Sequence, residues 1–175
     1  SDSTNLTTQT LYALKDLNDG TTIPNKTLLL KQSILQESDG YRVTSSHLQS
    51  SADMGWYLDL IINENQEGER IISDLIYRNK KLIFTTIIPS SDPCEFGGNS
   101  WLMELDAFNG ARLTYSPFDV NDDGTFDSED NIDFSNGPNT TSVPPSGIES
   151  EVGLVPAPAI LDADNKEYKY LPGTS

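Results

Sequence analysis

Turn-forming clusters of Asp, Asn and Gly punctuate this chain between runs that lack helix periodicity. They stand at 16–20 (Asp-Leu-Asn-Asp-Gly), 39–40 (Asp-Gly), 79–80 (Asn-Lys) and 106–110 (Asp-Ala-Phe-Asn-Gly). Asp and Asn side chains bond their own backbone and Gly reaches positive φ, so such clusters reverse the chain. The runs between them are short and rich in aromatic and β-branched residues: 10–14, 28–35, 41–44, 55–61, 71–77, 82–88, 101–105, 155–161 and 168–171. Each is predicted as a strand. Leu82-Ile-Phe-Thr-Thr-Ile-Ile88 carries no charge, as expected of a strand buried on both faces. Asp39-Gly40 and Asn79-Lys80 predict tight hairpins. The Pro/Gly/Ser-rich stretch 135–150 is predicted as a flexible linker of low structure. The expectation is an all-β fold.

One acidic stretch has a more specific pattern. Asp119-Val-Asn121-Asp-Asp123-Gly124-Thr125-Phe-Asp127-Ser-Glu-Asp130 puts side-chain oxygens at positions 1, 3, 5, 9 and 12, with Gly at 6. Ca²⁺ takes six to eight oxygens, and a loop wrapping it presents alternate side chains inward. Asp119, Asn121, Asp123 and Asp127 meet that need, Thr125 offers its backbone carbonyl, and Gly124 permits the bend. Between 119 and 133 lie Asp119, Asp122, Asp123, Asp127, Glu129, Asp130 and Asp133, with no Lys or Arg. Without a cation these charges repel one another. The plainer reading is a solvated Asp/Asn/Gly turn; the alternation together with the Gly favours calcium. Pro117 and Thr114-Tyr115 leave no entering helix, so this is an EF-hand-like loop (119–130) set among strands. Asp130, shorter than the usual Glu at position 12, is left open as a ligand.

The 175 residues suffice for one domain with a real core. A net charge of −16 argues against nucleic acid and against anionic membrane surfaces, and no apolar run is long enough to predict membrane insertion. Cys94 stands alone, so no intrachain disulfide is expected, and it is read as structural. His47, in a Ser-rich loop, is read as an ordinary polar residue. No Ser-His-Asp or Cys-His set can be assembled from these, so no catalysis is expected.

The chain also echoes itself. Residues 11–16 align with 102–107 and residues 73–84 with 157–168, offsets of 91 and 84 that correspond to about two propeller blades at roughly 40–50 residues each. The pattern Leu-x-Leu-Asp-Ala-x-x-Gly approached at 103–110 resembles the repeat of quinoprotein-like propellers. A nearer likeness is carried by Gly55-Trp-Tyr-Leu-Asp-Leu60, Gly68-Glu-Arg70, Leu82-Ile-Phe-Thr-Thr86, Ile88-Pro-Ser-Ser-Asp-Pro-Cys94 and Ser100-Trp-Leu-Met-Glu-Leu-Asp-Ala107. As a set these resemble the C-terminal domain of the PilY/PilC family, the pilus-tip adhesins and biogenesis factors of bacterial type IV pili.

That resemblance implies that residues 1–175 are part of a modified β-propeller, a few blades with an inserted EF-hand-like calcium loop. It implies Ca²⁺ as the only cofactor, on Asp119, Asn121, Asp123, Thr125 (carbonyl) and Asp127. The family's loop has nine residues, which leaves Asp130 outside it. It further implies a place at the bacterial surface and pilus tip after export, minor pilins and a host or abiotic surface as partners, and calcium control of extension against retraction. Two other classes compete: a quinoprotein-like propeller enzyme, and a dockerin-like calcium-stabilised binding module. The first needs a central cavity with a carboxylate base and the second needs helices, so neither matches the pattern as well.

Overall fold

The computed structural model describes residues 5–90, 98–150, 155–163 and 166–171, and all structural statements concern these. They contain fourteen strands and two short 3₁₀ turns, with no α-helix. The strands are β1 (Thr10–Leu14), β2 (Leu30–Gln32), β3 (Ile34–Ser38), β4 (Tyr41–Thr44), β5 (Gly55–Asp59), β6 (Arg70–Ile71), β7 (Ile76–Arg78), β8 (Lys81–Ile88), β9 (Asn99–Asp106), β10 (Ile132–Asn136), β11 (Asn139–Val143), β12 (Gly147–Ser150), β13 (Ala159–Ala163) and β14 (Lys166–Tyr170).

A seven-stranded sheet runs β3-β4-β12-β9-β8-β6, with β7 also pairing β8. Its spine is the antiparallel β8–β9 pair, in register from Lys81↔Asp106 to Ile88↔Asn99. A smaller sheet, β1-β5-β2, holds β2 parallel to β5, and two separate hairpins, β10–β11 and β13–β14, complete the set. The sheets remain open, as in a fragment of a β-propeller. The all-β expectation holds, including the two turns that reverse through positive φ: Asp39 and Gly40 between β3 and β4, Asn79 and Lys80 between β7 and β8. β8 is buried along nearly its whole length.

Several readings need correction. The single strand read across 71–77 is two, β6 and β7, both paired with β8. The predicted strand 28–35 is two strands in different sheets, β2 on β5 and β3 on β4, preceded by a 3₁₀ turn at Lys26–Leu28. The apolar run conceals the break because Leu30, Gln32 and Ile34 all turn inward to some degree, and Gln32 is buried by bonding the His47 and Asn109 carbonyls. The stretch 135–150 is not a linker of low structure. It finishes one hairpin, β10–β11, and supplies β12, which pairs with both β4 and β9 inside the main sheet. Gly147 is what allows this: a Cβ there would stand 2.5 Å from the Met103 sulfur. Finally, the chain entering the acidic loop is irregular rather than a strand, although Ala111, Leu113, Ser116 and Phe118 are buried along it. The strand predicted at 155–161 starts later, at Ala159, beyond its prolines. Cys94 lies outside the described residues.

The main core gathers Leu11, Ile34, Trp56, Leu58, Leu60, Phe84, Trp101, Met103 and Leu105 between the two larger sheets. A second cluster, Ile83, Leu102 and Phe118, lies on the other face of β8 and β9, with Ile76, Val120, Ile148, Ile160 and Leu171 against it. The sheet's interior also holds charge. Arg42 is fully buried, donates to Glu37 and to both oxygens of Glu69, and stacks 4.2 Å over Trp101. A buried guanidinium is tolerable only with such partners. Thr86 adds a hydroxyl to Glu69 at 2.6 Å.

The β13–β14 hairpin is attached to the sheet by ion pairs as much as by apolar contact. Glu167 accepts from Lys81 at 2.7 Å and from Arg78 at 2.9 Å, Arg78 also meets Asp162, and Lys169 pairs with the buried Glu104. Burial alone would raise the Glu167 carboxyl, but Lys81, with Lys169 and Arg78, outweighs it and holds the group below the ordinary Glu range. A depressed carboxylate stabilises the fold above its unfolded-state pKa and loses that contribution as pH falls through the folded value. Acidification through and below the ordinary Glu range should therefore raise amide exchange in β13–β14 before it does so in β8–β9; simultaneous loss would contradict this role for Glu167. Phe84→Ala should cost about 3–5 kcal/mol in urea unfolding, because it empties a fully buried site. Tyr77→Ala, at 70% exposure, should change stability by less than about 0.5 kcal/mol.

Candidate metal centre

The acidic loop is fixed at both ends before any cation is considered. At its start, Phe118 anchors in the second core cluster, and Ser116 both accepts from the Phe118 amide and donates to the Phe118 carbonyl. At its end, a 3₁₀ turn at Ser128–Asp130 is capped by Asp127 and carries Asp130 into full burial. Asp130 Oδ1 accepts from the Val120 amide at 2.7 Å and, at 3.4 Å, from that of Asn121, while Oδ2 accepts from the Asp127 amide at 2.9 Å. One carboxylate thus joins the two ends of the loop. A carboxylate receiving several backbone N–H groups is satisfied without a metal, so Asp130 is a structural staple here and not a preformed ligand.

Between those ends the side chains form a chain of contacts. Asp119 accepts from the amides of Asp123 at 3.2 Å and Gly124 at 2.9 Å. Asn121 accepts from the Asp123 amide at 3.1 Å and its own amide group reaches Asp123 Oδ2 at 3.2 Å. Asp123 Oδ1 takes both the amide and the hydroxyl of Thr125, at 2.7 and 2.5 Å, and that hydroxyl also approaches Asp127 at 3.4 Å. Asp127 accepts from the Glu129 amide at 2.8 Å. The structure therefore brings Asp119, Asn121, Asp123, Thr125 and Asp127 onto one loop, linked through the Asp123, Gly124 and Thr125 amides and the Thr125 hydroxyl. Gly124 stands at φ 77° with nothing near a hypothetical Cβ, so its requirement is conformational and not one of space. Asp122 takes positive φ as well and is spared the inward positions.

The donor set is chemically suited to a hard divalent cation: three carboxylates, an amide oxygen and a backbone carbonyl, all oxygen. It is not drawn tight. Among the described residues, no three His, Cys, Asp or Glu side chains already stand in metal-holding geometry. Mutual repulsion accounts for this, since each carboxylate has turned to an N–H or hydroxyl donor. Two neighbours, one cationic and one a neutral phenol, were not foreseen from sequence. The Lys166 ammonium, from the start of β14, donates to the Gly124 carbonyl. Tyr41, at the β3–β4 turn, has its phenol pushed up by burial first and then by Asp122, Asp130 and Asp119. Only long-range folding brings these residues to the loop, and nothing local in the sequence signals either. The Asp123 carboxyl is lowered, chiefly by its Thr125 hydrogen bonds and in small part by Lys166.

His47 is exposed, with Nδ1 3.0 Å from the Lys31 carbonyl. Among the described residues no helix is long and apolar enough to cross a membrane.

No family model matches the chain. Among curated proteins it is 39% identical over 128 residues to the "Type IV pilus biogenesis factor PilY1 homolog" of Xylella fastidiosa, covering 70% of this chain and 10% of that protein. It is 33% identical over 102 residues to the "Type IV pilus biogenesis factor PilY1" of Pseudomonas aeruginosa, covering 58% of this chain and 8% of that protein. The chain thus spans about a tenth of the length of these relatives. Among solved structures it superposes on the crystal structure of the Pseudomonas aeruginosa PilY1 C-terminal domain with a TM-score of 0.78 and 23% identity, covering 95% of this chain and 36% of that one. At that identity the superposition carries the fold, and the sequence matches carry the kinship. The chain belongs to the PilY1 family, as part of its C-terminal β-propeller domain.

Proposed function

We propose that the chain is the calcium-binding part of a type IV pilus biogenesis factor and tip adhesin, and that its loop regulates pilus extension against retraction. Kinship with proteins named as type IV pilus biogenesis factors supports the setting. The observation that carries the calcium reading is the loop itself: oxygen side chains at 119, 121, 123 and 127 with Thr125 between the last two, closed at its base by the buried Asp130. Asp119, Asn121, Asp123 and Asp127 would hold the ion with the Thr125 carbonyl. When bound, the ion supplies two positive charges that neutralise the loop's self-repulsion. The protein's own part is to keep the base rigid through Asp130 while the exposed span stays free to tighten. At the pilus tip, twitching motility and attachment to host or abiotic surfaces would follow the loop's occupancy, with minor pilins as the contacted partners. No catalytic role is proposed; among the described residues the partner of the His47 ring is the Lys31 backbone carbonyl.

A single loop without a paired hand is expected to bind with Kd in the broad range of roughly 10⁻⁷ to 10⁻³ M. Saturation at a hundredfold excess over Kd should stabilise the chain by about 2.7 kcal/mol, read as a raised unfolding midpoint. Asp123→Ala, and separately Asp127→Ala, should weaken Ca²⁺ binding by about tenfold or more, equivalent to ~1.4 kcal/mol or more. Asp133→Ala should leave it nearly intact, because that side chain lies beyond the loop on the exposed β10. Calorimetric titration of the three variants distinguishes these outcomes, and equal affinity in wild type and Asp123→Ala would rule the site out. In cells, a folded Asp123→Ala variant of the parent protein should shift surface piliation and twitching, and unchanged piliation would sever the loop from pilus dynamics.

A further inference from the structure

Among the described residues, Lys166 is a base hydrogen-bonded to a loop, 119–130, that has six carboxylates and no base of its own. Its ammonium donates to the carbonyl of Gly124, one residue before the carbonyl a bound cation would take. Three residues on, Lys169 donates to the Pro117 carbonyl at 3.0 Å and pairs with the buried Glu104. β14 is thus tied to the loop through Lys166 and to the sheet through Glu167, on Lys81 and Arg78, and through Lys169. Between these ties lies a cavity of about 390 Å³, walled by Phe118, Gly124 and Phe126 on the loop side and by Lys166, Tyr168 and Leu171 on the hairpin side.

We infer that Lys166 is a tethered counter-ion for the loop, which calcium displaces, so that cation binding frees the start of β14 and widens the cavity beneath it. The inference rests on the calcium reading above. An ammonium on the Gly124 carbonyl and a divalent ion inside the same loop repel each other, and the loop cannot favour both. Whatever Lys166 costs calcium in affinity, calcium must cost Lys166 in docking, because the coupling is reciprocal. Glu167 on Lys81 and Arg78 and Lys169 on Glu104 are untouched by this exchange, so only the Lys166 end of β14 is released and these pairs serve as the pivot. The loop's cation state would thereby be passed to a hairpin whose outer residues, Leu161, Tyr168 and Tyr170, are exposed.

Hydrogen exchange and calorimetry on the full chain test this, with Lys166→Gln as the variant and Lys31→Gln as a control that removes an equal charge at an exposed site away from the loop. Saturating Ca²⁺ should raise amide exchange in β14 several-fold in wild type. Lys166→Gln should show that faster exchange without calcium, gain nothing on adding it, and bind Ca²⁺ several-fold more tightly than Lys31→Gln does. Calcium binding with unchanged or slowed β14 exchange in wild type would overturn the inference while leaving the site standing. Equal affinity in the two Gln variants would do the same. A chain that takes up no calcium at all would overturn the site and the inference together.

Discussion

Asp130 is the group on which the candidate site depends. Its fully buried carboxylate collects the amides of Val120 and Asp127 and so fixes both ends of an otherwise repulsive loop. Burying a carboxylate is costly unless its oxygens are matched by donors, and here backbone N–H groups match both. The consequence is a division of labour. The base of the loop is rigid, joined through Phe118 to the second apolar cluster on β8 and β9, while half-buried Asp119 and exposed Asn121, Asp123 and Asp127 remain adjustable. A cation site built this way would have its position fixed by the fold and its geometry completed only on binding.

The same separation recurs in the sheet. Apolar burial around Phe84, Met103 and Trp56 holds the two larger sheets together, whereas charged groups hold what is added at their margins. Arg42 with Glu37 and Glu69 ties β4 to β3 and to the segment before β6, and Lys81, Glu104, Glu167 and Lys169 tie the last hairpin to β8 and β9. Such contacts respond to pH and to nearby ions in a way that packed hydrocarbon does not.

Much of this was legible in the sequence. Turns at Asp39-Gly40 and Asn79-Lys80 and the uncharged run of β8 follow from local chemistry, because positive φ and two-faced burial leave clear residue preferences. The alternating oxygens of 119–127 were legible for the same reason. What was hidden depends on partners distant in the chain. β12 reads as linker because its Pro and Gly surroundings are locally loop-like, and only the close approach of Gly147 to Met103 explains why a strand forms there. The division of 28–35 follows from two different sheets claiming its halves. Lys166 and Tyr41 reach the loop from opposite ends of the sequence, and Asp130 reveals its structural part only through the amides it accepts.

The central claim is that this loop is a calcium site. Calorimetric titration of the chain, stripped of divalent ions, with Ca²⁺ and separately with Mg²⁺ tests it most directly. A flexible all-oxygen loop suits the larger ion, since Mg²⁺ demands a tighter octahedron and gives up its water reluctantly. The account predicts one saturable Ca²⁺ site per chain and much weaker Mg²⁺ binding. No saturable Ca²⁺ heat, or equal affinity for the two ions, would contradict it.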